Sequence, residues 1–290
     1  MFKTGERKFV KKQNRSRFKK NIAILGGGNI GQALASGLVK SGKYKPSQIY
    51  ITRRRHKLLV NFKNQGFNIT NDNIEAVKSC KSIIMAVQPG QLVDLIQSIR
   101  ENLKPDKHII LSTVTGVTIA NIIKYLDRKI PVVRIMPNTA VAICESITCI
   151  ANDGQGGKAL KHARSLLESL GKTLVIKEEQ MTPATALCAC GVAFFLRSIR
   201  AASQGGIQIG FSANDALQIA AQTARGAASL LQMPMIHPEA EIDKVTTPKG
   251  CTIAGLNRME QAGFSSAMIQ GYVTATEIAN SLFVNNNKDA

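Results

Sequence analysis

The sequence predicts an α/β protein, with an N-terminal Rossmann-type doubly wound sheet followed by an all-helical C-terminal dimerisation domain. Three observations carry this prediction. A glycine-rich turn joins a short apolar strand to a helix within residues 22–40. Strand-like apolar runs then alternate with helical patterns as far as residue 176, which is typical of a parallel sheet. Beyond Thr182 the strand-like runs disappear and long Ala-rich segments follow.

The length and charge of the chain predict three regions. At 290 residues the chain is long enough for two domains with sizeable cores. We expect a basic, disordered tail over 1–20, a dinucleotide-binding domain over 21–179 and an all-helical substrate and dimerisation domain over 180–290. The tail carries nine Lys and Arg residues against Glu6 alone, so it holds +8 of the net charge of +19. A nucleic-acid-binding arm, a targeting segment and an upstream extension all remain open for it.

The composition also excludes several classes of protein. No apolar run approaches the ~20 residues that a membrane span requires, and the first twenty residues lack the apolar region of a secretory signal. The six cysteines show no paired spacing, so we expect reduced thiols in a cytoplasmic protein. The four histidines show no ligand spacing, so we expect no metal site.

The glycine turn predicts a dinucleotide site. Gly26, Gly28 and Gly31 have the spacing G-x-G-x-x-G, directly after an apolar strand over 22–25 and before a helix over 32–40. The first glycine would permit the tight turn, the second the approach of a pyrophosphate, and the third close packing of helix on strand. The alternative is an ordinary tight turn. The predicted pyrophosphate site comprises Gly26, Gly28, Asn29, Ile30 and Gly31.

The end of the second predicted strand favours NADPH over NADH. An NAD site usually places Asp or Glu here to bind the ribose hydroxyls. This chain has Thr52 followed by three arginines, of which Arg53 and Arg54 would bind the 2′-phosphate. NADH remains possible, and a solvated basic loop is the alternative interpretation.

Hydrophobic patterning predicts the remaining elements. Further strands are predicted at 48–52, 67–69, 82–87, 108–112, 131–135 and 173–176. Helices are predicted at 58–65, 71–78, 92–103, 117–126 and 158–170 in the first domain, and within 183–209, 213–232, 250–262 and 265–283 in the second.

Taken together, the motifs resemble the Δ1-pyrroline-5-carboxylate reductase family over nearly all of 21–283. Residues 86–89, Ala-Val-Gln-Pro, are similar to the family's Ala-Val-Lys-Pro segment, and 112–119, ending Gly-Val-Thr-Ile, match its next strand and turn. Residues 134–139 match its Met-Pro-Asn-Thr loop. The most specific match is 245–256, where the family has its signature. The resemblance implies that the cofactor site also includes Ala86, Val87, Pro89 and Asn138, although an Asn in a loop often only turns the chain.

The signature stretch predicts a carboxylate site. Thr246, Thr247 and Pro248 precede a helix that starts near Gly250 or Cys251, and free N–H groups at a helix start attract a carboxylate. The resemblance implies that this loop holds the substrate carboxylate and that Thr252 lies by the imine nitrogen, as the catalytic residue. A capped helix start is the alternative. The predicted substrate site comprises Thr246, Thr247, Gly250, Cys251 and Thr252.

This chain departs from the family pattern at several positions. Lys249 replaces a glycine, Gln88 replaces a lysine, and Met235 occupies the approximate place of a polar residue. Residues 187–193 keep only the Leu, the second Gly and the Ala of the family's Leu-Ser-Gly-Ser-Gly-Pro-Ala. These changes leave the exact substrate open.

The resemblance implies NAD(P)H-dependent reduction of 1-pyrroline-5-carboxylate to L-proline, the last step of proline biosynthesis. Another imine or a β-hydroxyacid is an alternative substrate, although the first long helix offers Arg197 and Arg200 but no acid–base Lys. A cofactor-binding regulator with a nucleic-acid-binding tail is a second alternative. We expect an intertwined homodimer, because Ala-rich helices rarely bury their faces alone. The family adds a ring of dimers. We expect no membrane partner, and no nucleic acid except through the tail.

Overall fold

A computed structural model describes residues 21–152, 154, 157–232 and 236–286. The predicted tail and Met235 lie outside these residues. Eight strands form one sheet: β1 (Ile22–Leu25), β2 (Ile49–Thr52), β3 (Asn68–Thr70), β4 (Ser82–Met85), β5 (Ile109–Ser112), β6 (Val132–Met136), β7 (Ser146–Asn152) and β8 (Gly171–Val175). Their spatial order is β3-β2-β1-β4-β5-β6-β7-β8.

Helices cover the sheet and then form the rest of the chain. In the first half they are α1 (Asn29–Lys40), α2 (Val60–Asn64), α3 (Asn73–Ser79), α4 (Leu92–Ile99), α5 (Ile119–Leu126), α6 (Gly157–Leu167) and α7 (Met181–Ala184). A π-helix, Thr185–Cys190, continues α7 into α8 (Gly191–Gln208). The remaining helices are α9 (Ala213–Leu230), α10 (Pro238–Val245), α11 (Cys251–Gln261) and α12 (Phe264–Asn286). The sequence analysis did not predict α10.

Strand β1 lies at the centre of the parallel part of the sheet. It pairs in parallel with β2 on one side and β4 on the other, and all four of its side chains are buried. Successive side chains point to opposite faces, so Ile24 joins the core under α1 and Leu25 the core under α3 and α4. The chain order reverses between β1 and β4, and a crevice therefore opens at the carboxyl ends of these strands.

One strand corrects the prediction of a wholly parallel sheet. Strand β7 was not predicted, and it runs antiparallel to β6, with Val133 opposite Asn152. Only a short 3-10 turn, Thr139–Ile143, and the left-handed Cys144 (φ 64°) connect the two strands. This connection is too short for the crossover that parallel strands require, so the chain turns back on itself. The rest of the sheet is parallel as predicted.

The helical half of the chain contains almost no core of its own. Among its described side chains after Cys190, Ala216 and Ala279 are the only buried apolar ones. Large apolar side chains are exposed along its helices instead. They include Phe195, Leu196, Ile207, Ile209, Phe211, Leu217, Ile219, Leu230, Met259, Phe264, Ile269, Val273 and Ile278.

One helical stretch is apolar enough to be compared with a membrane span. Residues Glu178–Gln208 meet the criteria of length and hydropathy for crossing a bilayer, and 28% of the window concerned is buried. The sequence analysis expected no such stretch. A single match is weak evidence for a membrane, since a core helix of a soluble protein passes the same test.

Candidate active site

The glycine turn adopts a backbone that only glycine fits. Gly26 has φ of +114°, and a Cβ there would overlap the carbonyl oxygen of Ala86, which directly follows β4. A Cβ on Gly31 would overlap the carbonyl oxygen of Gly26. These two glycines therefore allow β1, β4 and α1 to approach closely, as the motif predicts.

Gly28 has a different role, because a Cβ there would meet nothing within 4 Å. It is the N-cap of α1, whose first turn contains no acidic residue and no side-chain cap. The first N–H groups of a helix have no intrahelical partner and carry partial positive charge. The space beside Gly28 thus suits a phosphate.

The turn is fixed by two side chains that converge on one carbonyl group. Gln32 Nε2 and Arg53 Nη1 each donate a hydrogen bond to the Gly27 carbonyl oxygen, both at 2.9 Å. The sequence analysis did not predict a role for Gln32, since nothing in the glycine spacing requires an amide at that position. Gln32 lies one turn into α1, and this placement brings its amide back onto the turn.

A cleft of about 840 Å³ lies at the carboxyl ends of β1, β2 and β4. It brings together the glycine turn, the arginines after β2 and the segment after β4, which are far apart in sequence. Its lining comprises Gly26, Gly27, Gly28, Thr52, Arg53, Arg54, Arg55, Asn71, Asn73, Ala86, Val87, Gln88, Gln91, Asp94, Leu95 and Ser98. Six of these were predicted cofactor residues, namely Gly26, Gly28, Arg53, Arg54, Ala86 and Val87, and the other ten were not among the predicted site residues.

The arginines make one end of the cleft basic. Arg53 is half-buried and uses one N–H on the glycine turn, whereas Arg54 and Arg55 are exposed. Asp94 is the one carboxylate among the lining residues. The guanidinium groups therefore offer unpaired N–H donors at the end of β2, where a ribose phosphate would lie.

Some predicted cofactor residues lie beside the cleft without lining it. Asn29, Ile30 and Gly31 belong to the first turn of α1, and the Ile30 side chain packs against the core. Pro89 starts a 3-10 turn, and its neighbours Gln88 and Gln91 face the cleft instead. A cofactor would meet Ile30 and Gly31 only through their backbone N–H groups.

Asn138 connects the sheet to the π-helix. Its side chain is 7% exposed; Oδ1 accepts from Ala140 N at 3.0 Å and Nδ2 donates to the Cys188 carbonyl oxygen at 3.2 Å. It does not line the cleft. The structure thus gives Asn138 a positioning role, which the sequence could not show because its partner lies 50 residues away.

Two further contacts hold the same junction. Cys149 on β7 and Cys188 in the π-helix are both buried, with their sulfurs 3.4 Å apart. The hydrogen bond with Cys149, together with burial, raises the pKa of Cys188, so this thiol stays protonated. Arg134 on β6 donates to Glu178 Oε1 at 3.2 Å, and the same oxygen accepts from Ile119 N at 2.6 Å.

The signature loop forms a tight turn before α11. Gly250 N donates to the Thr247 carbonyl oxygen at 2.9 Å, and Lys249 between them has φ of +60°. That left-handed conformation favours glycine, the residue that the family has there. A Cβ on Gly250 would overlap the Thr247 hydroxyl, so this glycine is required by close packing. Thr246 Oγ1 donates to the Ile242 carbonyl oxygen at 2.8 Å, which ends α10.

The start of α11 leaves donors free for a ligand. Gly250 is its N-cap without a side-chain cap, Cys251 is exposed, and Thr252 is half-buried in the first turn. No first-turn acid occupies the helix start. However, none of the five predicted substrate residues lines the cofactor cleft of the single chain. One chain therefore brings six of the predicted cofactor residues into one cleft, whereas the predicted substrate residues lie outside it.

Two family models match this chain. Residues 178–282 match the model described as pyrroline-5-carboxylate reductase dimerisation. Residues 21–116 match the model described as NADP oxidoreductase, coenzyme F420-dependent. The first match begins where the sheet ends and covers the helices with exposed apolar faces.

Solved structures share the whole fold. The chain superposes on pyrroline carboxylate reductase from Plasmodium falciparum, solved with NADP bound, with a TM-score of 0.83 and 22% identity, covering 91% of this chain and 98% of that one. For the enzyme from Coxiella burnetii the TM-score is 0.79, the identity 26% and the coverage 91% and 98%.

Curated relatives are more similar in sequence. Pyrroline-5-carboxylate reductase 1 of Dictyostelium discoideum is 50% identical over 274 residues, which are 90% of this chain but only 50% of that protein. Pyrroline-5-carboxylate reductase 2 of the same organism is 47% identical over 274 residues, 89% of this chain and 91% of that protein. The chain therefore belongs to the pyrroline-5-carboxylate reductase family.

Proposed function

We propose that this protein reduces 1-pyrroline-5-carboxylate to L-proline with NADPH, the last step of proline biosynthesis. The observation that carries the proposal is the 47% identity to a pyrroline-5-carboxylate reductase along 91% of that relative. A dinucleotide cleft and a separate carboxylate-type loop in the same chain support it.

The cleft fits NADPH. The open space at Gly28 and the free helix start suit its pyrophosphate, and Arg53 and Arg54 suit a 2′-phosphate. The end of β2 carries no carboxylate that would select NADH. The related Plasmodium falciparum enzyme was solved with NADP. We expect NADH to serve as a poorer substitute.

The nicotinamide supplies a hydride when it is bound, and the chain supplies binding and a proton. The N–H groups at the start of α11, with Thr246 and Thr247, would hold the substrate carboxylate. The Thr252 hydroxyl would hydrogen-bond the imine nitrogen and help to protonate it. Such placement lowers the barrier because the reacting groups are held in line and water is excluded.

A homodimer accounts for the exposed helical faces. The apolar side chains on α8, α9 and α12 would be covered by the same helices of a second copy, as in an isologous interface. The signature loop does not line the cleft of its own chain, so we propose that the loop of the second copy completes each site. A ring of dimers, the domain division after residue 179, and a cytoplasmic location without a membrane partner are further parts of this proposal.

A different cyclic imine acid is a second candidate substrate. The family's Leu-Ser-Gly-Ser-Gly-Pro-Ala is altered here, with Cys188 and Cys190 at the serine positions. Both cysteines lie in the π-helix beside the sheet, and we propose that they alter the choice of substrate.

The test measures NADPH and NADH oxidation with pyrroline-5-carboxylate and a panel of cyclic imines. We expect turnover that favours NADPH and falls about tenfold or more in Thr252→Ala, which is about 1.4 kcal/mol of transition-state stabilisation. Thr252→Ser keeps the hydroxyl and should retain activity. Turnover unchanged in Thr252→Ala would discard the proton-donor role, and turnover only with another imine would change the substrate.

A further inference from the structure

The edge of the sheet opposite the cofactor cleft is strongly basic. The cleft lies at the carboxyl ends of the strands, and the amino ends form the other edge. Asn21 and Lys81 meet there at the starts of β1 and β4, where Lys81 N donates to the Asn21 carbonyl oxygen at 3.2 Å. The next strand starts beside them, because Ile109 N donates to the Lys81 carbonyl oxygen at 3.1 Å.

Eight lysines lie at this edge, in the last turns of helices and in the loops that lead into β2, β4, β5 and β6. Seven are exposed and Lys107 is half-buried. Within the part of the chain that the structure describes, none of the eight makes an ion pair with a carboxylate. We call this set the amino-edge surface: Lys40, Lys43, Lys45, Lys78, Lys81, Lys104, Lys107 and Lys129.

The acidic residues at this edge do not neutralise the lysines. Glu101 already pairs with Arg100 and Arg128. Asp106 and Asp127 are the other two carboxylates in these loops. With ten basic and three acidic groups, this edge carries +7. Such a concentration of one sign of charge attracts polyanions.

Helix ends explain only part of the surface. Lys40 and Lys78 lie in the last turns of α1 and α3, where a cation complements the helix dipole. The other six lysines lie outside helices. Lys43 and Lys81 both lie close enough to His162 to lower its pKa, although burial of the ring is the larger cause. These two lysines therefore lie near each other although they lead into different strands.

The tail continues this charge. Residues 1–20 carry nine basic side chains against Glu6 and join the described chain at Asn21, which lies at the same edge. None of the exposed large apolar side chains of the described residues lies on the amino-edge surface. A membrane-binding surface would combine such apolar groups with its lysines, so these observations favour a nucleic-acid backbone as partner.

We propose that the amino-edge surface binds nucleic acid through its phosphates, without sequence preference. The cofactor cleft lies at the opposite edge of the sheet, so bound nucleic acid leaves catalysis unaffected. Because this partner plays no part in imine reduction, the inference stands or falls separately from the proposed activity.

The test is anisotropy of a fluorescent 20-base-pair DNA duplex titrated with the full chain across about 50 to 200 mM NaCl. Saturating NADP occupies the cleft arginines in every titration. The variant Lys78→Gln/Lys81→Gln/Lys104→Gln removes three exposed cations that make no side-chain hydrogen bond in the described structure. We expect the salt slope to fall by about 2.7, or 0.9 for each lost phosphate contact, and binding at the lowest salt to be weaker by roughly a thousandfold.

The matched control removes three exposed lysines elsewhere, as Lys57→Gln/Lys124→Gln/Lys177→Gln. It should lower the affinity much less, and both triple variants should keep the thermal stability of the parent. Equal losses of DNA affinity in the two triple variants would show that the affinity depends only on net charge, and would overturn the proposal. It is also overturned if DNA does not bind at the lowest salt, or if only phosphatidylserine vesicles bind.

Discussion

The two halves of the chain treat their apolar side chains in opposite ways. In the sheet half, strands such as β1 and β4 are buried throughout and helices cover both faces. In the helical half, α8, α9 and α12 leave large apolar side chains exposed, and Ala216 and Ala279 are the only buried apolar side chains described after Cys190. The sheet half thus buries its apolar side chains within one chain, whereas the helical half requires a second surface to cover its exposed ones.

The same difference runs through the candidate site. The cofactor side is assembled within one chain, from three strand ends that the sheet brings together. The predicted substrate loop lies in the half whose apolar side chains are exposed, and it does not line that cleft. We infer that dimerisation completes the fold and the site at once.

Introducing a charge on the exposed apolar face of α8 should have the largest effect on dimerisation and activity. Phe195 on α8 is 60% exposed in the single chain. Phe195→Asp should dissociate the dimer and lower kcat/KM about 100-fold or more, because a buried aromatic anchor would become a desolvated charge. Light scattering and NADPH oxidation measure the two effects. Val60→Asp is the matched control, since Val60 is 54% exposed on the sheet half. If Phe195→Asp remains a dimer, α8 does not form the dimer interface as we propose.

Acid should destabilise the sheet half through His108. This residue is buried, and burial with the nearby Lys107 lowers the pKa of His108 to about 4. The unfolded chain therefore binds a proton that the folded chain excludes between pH 6.5 and 4. Stability is full above pH 6.5 and falls by about 3 kcal/mol on acidification to pH 4.

Denaturant titrations at a series of pH values check this dependence. His108 Nδ1 accepts from Lys104 N at 2.8 Å, and the amide oxygen of His108→Asn can accept in its place. The free energy of unfolding of His108→Asn should vary less with pH than that of the parent, at every protein concentration. A profile as steep as that of the parent would assign the acid sensitivity to other groups.

Substitutions at two glycines of the turn should affect stability and cofactor binding separately. Gly31→Ala places a methyl group against the Gly26 carbonyl oxygen and should cost about 2 kcal/mol of stability. A Cβ at Gly28 meets no protein atom within 4 Å, so Gly28→Val should leave stability nearly unchanged and abolish measurable NADPH binding. Thermal unfolding and NADPH fluorescence titration give the two readings. A loss of stability in Gly28→Val would contradict the assignment of that space to the pyrophosphate.

The smallest effect concerns the choice of cofactor. Arg54→Gln should raise KM for NADPH about tenfold and leave KM for NADH nearly unchanged, since only NADPH carries the 2′-phosphate. Arg54→Lys keeps the charge and should show an intermediate effect. An equal rise for both cofactors would place the Arg54 side chain on a group that they share.

The sequence predicted features that depend on neighbours along the chain. The glycine spacing predicted the turn between β1 and α1, and apolar runs predicted seven of the eight strands. Strand β7 was missed because its direction depends on the short connection after β6 and not on its own residues. Helix α10 was missed although it carries Pro238 at its first position, a common start signal.

Sequence motifs could not predict contacts between residues that are far apart along the chain. Gln32 fixes the glycine turn through an amide that no pattern requires. Asn138 belongs to a recognisable loop, but its partner in the π-helix decides its role. The separation of the signature loop from the cleft is a property of the fold, so the sequence could name both sets of residues without showing that a single chain keeps them apart.

The most direct test mixes two defective chains. Gly28→Val impairs the cofactor site, and Gly250→Val disrupts the signature loop, where a side chain would overlap the Thr247 hydroxyl. Each variant alone should be nearly inactive. If each site takes its cleft from one chain and its loop from the other, randomly paired dimers should recover about one quarter of the parent's activity, because half of them contain one intact site. Activity no higher than that of the separate variants would show that each chain forms its own site, and would contradict the account.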